Sequence, residues 1–435
     1  MFMLHLLFGG GLDENQELRW VHPYCHNQNV LRKVDNVFKT SQLIKFLTTG
    51  GNMKLSMKLA GVAAAGLFAS AMAASAQTKD INVGVTLSST GPAAALGVPE
   101  RNTIPLLPTE IAGHKVNYIV LDDATDATQA GRNARKLITE DKVDIIFGSS
   151  STPTSVAVAE ITNELEVPQI AVAPLDLPAD KEKWVFRTPQ HVRLMAGALV
   201  DHMKENGVKE LGFIGYADAY GEVWLKEMRP LVEKAGITMD NVERFNRNDT
   251  SVTGQALKLV AAKPDAILVV ASGTPSVLPQ VTLQDRGFKG QIYQTHGTAS
   301  KEYIRVGGKA VEGTILPVGP VVIVEQLPDS HPSKQPGIEY IKAYEKMYGE
   351  GSFSSFGAHI FDAYLVLEAA APEALKKAEP GTQAFRAALR DAIENSEEVV
   401  GSHGVFNMSP TDHFGHDERA RMLVEVKDGD WKLLK

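Results

Sequence analysis

What most limits the fold of this chain is an alternation. Short apolar runs rich in β-branched residues, each closing in a turn of Gly, Ser, Thr or Pro, are separated by stretches with helical periodicity. Residues 81–87 (INVGVTL) form the first run and end in Ser88-Ser89-Thr90-Gly91-Pro92. Residues 115–121 repeat the pattern before Asp122-Asp123, and 128–140 place Ala130, Ala134, Leu137 and Ile138 on one helical face. Residues 143–147 make the next strand, closed by Gly148-Ser149-Ser150-Ser151-Thr152, after which Pro153 fits the first helical position with Thr152 as N-cap. That helix stops near Val167-Pro168, and 170–173 begin a further strand. The alternation restarts after His191, with strands at 211–216, 266–271, 292–295 and 314–318 and a helix over 222–235 ended by Gly236. Helices over 338–348, 357–371 and 382–395 precede strands at Val405-Phe406, 422–426 and 431–434. Strand and helix in turn are what a parallel, doubly wound sheet requires, so the fold class is α/β, in two similar halves with a cleft between them.

Composition removes several function classes. At 44% hydrophobic and 22% charged, 435 residues suffice for two sizeable cores and exclude a disordered chain. A net charge of −8 offers no general basic surface to a nucleic acid. Cys25 is the only cysteine, which leaves no disulfide framework or thiolate chemistry. No G-x-S-x-G elbow, P-loop, G-x-G-x-x-G after the first strand or H-E-x-x-H occurs after residue 76, so catalysis has no visible apparatus.

From Met53 the sequence reads MKLSMKLAGVAAAGLFASAMAASAQ: two lysines, a charge-free apolar run and Ala74-Ser75-Ala76. The run is shorter than the roughly 20 apolar residues that span a bilayer core. It reads as a secretory signal at 53–76, cleaved before Gln77. Residues 1–52 lack a sustained period and are expected to be a spurious extension, with Met53 or Met57 as initiator. Removing residues 1–76 takes away seven basic and four acidic side chains, which leaves 359 residues carrying −11.

In open α/β sheets ligands bind outside the carboxyl ends of the strands. Those ends carry small hydroxyl residues at 88–91, 149–152 and 272–275, the Pro174-Leu175-Asp176-Leu177 loop, and the larger Tyr216, Tyr220 and His296. The 148–153 turn directs backbone N–H groups and hydroxyls at whatever lies above a helix N-terminus, which makes it either an anion receptor or an ordinary capped connection. Asp122-Asp123-Ala124-Thr125-Asp126 lacks the EF-hand glycine and distal glutamate, so these acids are expected to cap helices on the surface. His403, His413 and His416, with Asp412 and Asp417, lack a helical i, i+4 pair and are expected in an exposed loop, with no metal.

These residues carry a likeness. LSSTGPAAALG (87–97), DDATD (122–126), KLITEDKVDIIFGSSST (136–152), VFRT (185–188), YADAYG (216–221) and GVFNMSPTDHFG (404–415), in this order, resemble the branched-chain amino acid type of periplasmic solute-binding protein, the receptor of an ABC importer. The resemblance implies a type I periplasmic-binding-protein fold: two doubly wound parallel-sheet lobes joined by a three-crossover hinge. Its crossovers fall near Thr188-Pro189, Pro317-Val318 and Ser402-His403, with lobe I at 77–189 and 318–402 and lobe II at 190–317 and 403–435. It implies a monomer without cofactor or nucleic-acid partner that binds a small carboxylate, closes around it and presents it to a membrane permease. The family's carboxylate-holding turn matches Ser149, Ser150 and Thr152, and its closing tyrosine matches Tyr220.

Two departures bear on the ligand. The position of the family's ammonium-binding acid carries His296, and a neutral imidazole does not offset a buried ammonium as a carboxylate does. Pro99, Pro105 and Pro108 interrupt the first long helix and are expected to reshape the pocket near Asn102 and Thr103. The expected ligand is therefore an aromatic or aliphatic organic acid without an α-ammonium. Its site would draw on Ser89, Asn102, Ser149, Ser150, Thr152, Pro174, Leu175, Ser272, Gly273 and His296, with apolar walls from Leu96, Phe186, Tyr216 and Tyr220. The alternatives are a branched-chain amino acid receptor whose ammonium meets Asp176 or Asp218, an extracytoplasmic ligand sensor, and an exported α/β enzyme.

Overall fold

The computed structural model describes residues 78–434. The expected extension at 1–52, the expected signal at 53–76 and Cys25 lie outside the described residues. The chain runs β1 Ile81–Leu87, α1 Ala94–Thr103, β2 Glu110–Ile111, β3 His114–Asp122, α2 Ala127–Thr139, β4 Ile145–Phe147, α3 Thr152–Leu165, β5 Gln169–Ala171 and β6 Val185–Arg187. Their six strands form one sheet in the order β2-β3-β1-β4-β5-β6, parallel except for the β2–β3 hairpin.

The second half continues with α4 Val192–Glu205, β7 Leu211–Tyr216, α5 Ala219–Ala235, β8 Val242–Phe245, α6 Thr253–Ala262, β9 Ala266–Val270, α7 Val277–Asp285, β10 Gln291–Gln294, α8 Lys301–Gly307 and β11 Ile315–Val318. Helices α9 Lys334–Tyr348, α10 Ser355–Leu375 and α11 Gln383–Glu394 follow, then β12 Val399–Val400, β13 Val405–Phe406, β14 Met422–Lys427 and β15 Asp430–Leu433. The second sheet reads β15-β14-β11-β10-β9-β7-β8, parallel from β11 to β8, with β14 and β15 added antiparallel. The elements missed in the sequence are the strands β2, β6, β8 and β12 and the helices α4, α6, α7 and α8. Helix α6 is short, and α7 carries an internal proline with polar residues scattered around it, so its apolar period is weak.

Each sheet is covered on both faces. Ile81, Val83, Ile145, Phe147 and Ile170 pack with Ala363, Leu367 and Leu389 of α10 and α11, while Leu137, Val143, Ile146 and Val158 fill the opposite face. In the second sheet Phe213, Leu268 and Val269 pack under Met195, Leu199, Trp224 and Met228. Ile323, Val324 and Leu327 share a core with Val318, Val424 and Trp431. Phe406 and Met408 belong to the core of the first half.

Local expectations are corrected in four places. The N-cap of α3 is Ser151, whose hydroxyl takes the Thr154 amide in a capping box, and Thr152 is the first helical residue. Helix α5 starts at Ala219 because Asp218 caps it, accepting from the Tyr220 amide at 2.9 Å. Pro99 lies inside α1, which gives way at Ile104 to a 3-10 turn containing Pro105. His403 and His413 are buried, not exposed: His413 stacks on Phe186 at 4.4 Å and His403 on His359 at 3.8 Å.

Candidate functional site

Both sheets have the same switch of strand order. In the first, β3 and β4 lie on either side of β1, and in the second β8 and β9 lie on either side of β7. A crevice opens where connections leave neighbouring strands in opposite directions. The turn after β4 and the loops after β7 and β9 therefore face one another, and a small, narrow cavity lies between them.

The first wall is the turn from Gly148 to Thr152. Asp126 caps α2 through the Gln129 amide and Asp122 holds the Ser89 amide, but Asp123 is fully buried beneath the turn and not at the surface. Its carboxylate accepts from Ser149 Oγ at 2.5 Å, Ser88 Oγ at 2.7 Å and the Thr125 amide at 3.0 Å. Burial holds its pKa above the usual carboxylate value despite those donors. Ser150 Oγ is bonded to Glu100 and accepts from the Ser88 amide at 2.9 Å. Thr152 Oγ1 donates to the Pro174 carbonyl at 2.7 Å. The Thr152 amide, first in α3, has no acceptor within the helix and sits at its positive end.

The second wall carries Arg247, beyond the end of β8. Its Nε donates to Asp218 at 2.6 Å and its Nη1 to Ser272 Oγ at 3.1 Å, and its guanidinium lies 4.1 Å above the Tyr216 ring. The cation is thus paired before any ligand arrives. Tyr220 donates to Thr295 Oγ1 at 2.8 Å, and burial pushes its hydroxyl pKa up to about 12.

Imidazoles complete the cavity. His403 Nε2 faces the Ser355 carbonyl at 2.8 Å, which places the proton of the neutral ring there and leaves Nδ1 a lone pair without a partner. His359 Nδ1 and both ring nitrogens of His296 are buried without partners as well. Burial depresses the pKa of His296 to about 3 and of His403 to about 4, and holds His359 well below its ordinary value. Asp362, which accepts the amides of Ser402 at 2.7 Å and His403 at 2.9 Å, is pushed by burial up to about 7.

Of the residues expected at the site, Leu96, Ser150, Thr152, Pro174, Tyr220, Ser272 and His296 line the cavity. The others do not. Ser149 is a strut on Asp123, Leu175 and Phe186 are core, and Tyr216 lies under Arg247 with its hydroxyl on the Ser272 carbonyl at 3.2 Å. Ser89 and Asn102 line a separate groove, where Asn102 Nδ2 donates to the Tyr344 hydroxyl at 3.3 Å. Gly273 is a point of close approach, since a Cβ there would lie 3.1 Å from Leu96 Cδ1 of the opposite wall.

A family model described as "Periplasmic binding protein" matches residues 80–430. The chain belongs to the periplasmic binding protein family. An extracellular ligand-binding receptor from Rhodopseudomonas palustris is 49% identical, with a TM-score of 0.81, over 82% of this chain and 100% of that one. The Leu/Ile/Val-binding protein homolog 7 of Brucella abortus (strain 2308) is 27% identical over 85% of this chain and 94% of its own length. A solute-binding protein of an ABC transporter from R. palustris, in complex with benzoate, shares the fold at 19% identity and a TM-score of 0.68, over 82% of this chain and 95% of that one. The fold is the α/β two-lobed one expected, of the branched-chain amino acid type. The family is one of solute receptors and not of enzymes, it binds small molecules, and it works in the periplasm or otherwise outside the cytoplasm.

In this periplasmic binding protein the lining residues that sequence reasoning missed include Arg247, Gln190, Ser355, His359 and His403. Arg247 follows the unrecognised strand β8, so the rule of strand ends would have found it. His359 lies inside α10, where nothing in the sequence separates it from a core histidine. Among the described residues no group of three or more His, Cys, Asp or Glu side chains is placed to hold a metal ion, and no helix is long and apolar enough to cross a membrane.

Proposed function

We propose that this protein captures a small carboxylate without an α-ammonium group, an aromatic or aliphatic organic acid, and delivers it unchanged to an ABC permease. The observation that carries this reading is the charge of the cavity lining, which contains one arginine, three histidines and no aspartate or glutamate. An ammonium enclosed there would be unpaired, and a buried charge without a partner is costly. A carboxylate would meet the Thr152 amide and Ser150 beside Arg247, whose charge is shared with Asp218, in a dry setting where charge-assisted hydrogen bonds are strong. The benzoate complex of a structural neighbour supports the view that such a fold can enclose an aromatic acid.

The names of the Brucella relatives favour a branched-chain amino acid instead. That reading needs a free acid for the ammonium. Asp218 is bound to Arg247, and Asp176 pairs with Lys226 at the surface, so neither expected acid is available. Export through the 53–76 segment and the permease partner are part of the same proposal. A thermal-shift and calorimetric panel tests it: benzoate, cyclohexanecarboxylate and hexanoate are expected to include a stabilising ligand, and leucine, isoleucine and valine are not. Stabilisation by the amino acids alone would overturn the reading.

A further inference from the structure

Glu100, on α1, is fully buried and does not line the cavity. Its Oε2 is bonded to Ser150 Oγ, and its Oε1 is buried without any partner. Among the described residues no lysine, arginine or histidine forms an ion pair with it. The charged group whose field reaches it is the buried Asp123, of the same sign, and the ionisable side chain on its other flank is Tyr340 of α9. A carboxylate in such surroundings has lost its water and gained no cation, so the acid form is favoured.

Hydrogen-bond accounting at Ser150 then gives a specific result. A serine hydroxyl has one proton to donate and two lone pairs to fill. The Ser88 amide, at 2.9 Å, fills one lone pair. An ionised Glu100 would take the single Ser150 proton, and the turn would face the cavity with an acceptor backed by a negative charge. A neutral Glu100 reverses the bond, fills the second lone pair, and leaves the Ser150 proton free on a residue that lines the cavity. The turn becomes an anion receptor in one of these states only.

We propose that Glu100 is a positioning residue whose carboxyl donates to Ser150 Oγ, so that the Ser150 hydroxyl donates in turn to the ligand carboxylate. This rests on the carboxylate reading above. Burial without a cation also raises the pKa of Glu100 well above the ordinary value, in keeping with the donor role.

Two measurements test it. The full chain is titrated with benzoate, cyclohexanecarboxylate and hexanoate by calorimetry, unaltered and as Ser150→Ala, Glu100→Ala and Glu100→Gln. Ser150→Ala is expected to weaken binding by about ten- to a hundredfold, the size of one charge-assisted hydrogen bond, and Glu100→Ala, which leaves the Ser150 proton free but unpositioned, by about five- to tenfold. Glu100→Gln restores it to within about threefold, because an amide N–H donates to Ser150 as the acid does. Infrared spectroscopy at pH 7 of the unaltered, ligand-free protein carrying 13C-glutamate is expected to show an isotope-shifted band of a protonated glutamate carboxyl. It needs neither a ligand nor a substitution that could impair folding. Absence of that band, or a loss in Glu100→Gln as large as in Glu100→Ala, overturns the assignment of Glu100 while leaving the carboxylate reading in place. Binding of leucine in place of all three acids overturns both.

Discussion

The two walls of the cleft are built on opposite principles. On the first, nearly every polar group is already spoken for: Ser149 and Ser88 are tied to Asp123, Ser150 to Glu100 and the Ser88 amide, and Thr152 to Pro174. On the opposing wall and the hinge, His296, His359 and His403 keep four buried ring nitrogens without partners. Fixed donors favour charge without reorganisation, whereas unsatisfied nitrogens are a standing cost that a ligand with matching groups relieves. On the carboxylate reading proposed above, the first wall would hold the acid group and the second would discriminate among the molecules attached to it.

The largest effect is expected at the struts of the first wall. Asp123→Ala leaves the Ser149, Ser88 and Thr86 hydroxyls and the Thr125 amide without their common acceptor. A loss of roughly 2–5 kcal/mol in urea unfolding is expected, the range for breaking a buried network. A loss below 1 kcal/mol would mean that the first wall is not held as described.

The buried imidazoles of the cavity are probed by acid. His296 and His403 have folded values below the ordinary 6.5, so the unfolded chain binds more protons and stability falls as pH drops from 6.5 toward those values. Each contributes a loss of about 2 kcal/mol by pH 5. Asp362 works in the other sense: its stability is fully present below 3.8 and is lost as pH rises through about 7, so it offsets roughly one histidine between pH 7 and 5. Unfolding free energies of unaltered protein and His296→Phe at pH 7 and pH 5 should therefore shift by about 2 kcal/mol in favour of the variant on acidification. No shift would show that His296 is not held neutral by burial.

The smallest effect belongs to the rim, where Asp176 and Lys226 join the two walls through an exposed pair. Such pairs contribute about 0–1 kcal/mol. Calorimetry on Asp176→Asn should show carboxylate affinity reduced by no more than about fivefold. A larger loss would move part of the binding energy from the walls to their rim.

Much of this molecule could be read before it was seen. Strands β1, β7 and β11 and the turn after β4 follow from apolar runs and turn residues that are local in sequence. The serine turn was found, but the division of labour within it was not: Ser149 and Ser150 look alike in sequence and differ only in whether Asp123 or Glu100 stands behind them. Ser89 and Asn102 were misplaced because a strand end or a proline-broken helix says where the chain turns, not which face the turn presents.

The chain itself settled the alternation of strand and helix, and with it two wound sheets with loops gathered at their carboxyl ends, because hydrophobic periodicity and turn chemistry act over a few residues. Tertiary structure alone decided which charges the cleft contains. Bringing His359 from the middle of a helix and His403 from a distant loop into one stacked pair, hiding Glu100 from every cation, and covering Arg247 with Asp218 are contacts across long stretches of sequence. Burial and pairing at those contacts set the protonation states, and no local pattern encodes them.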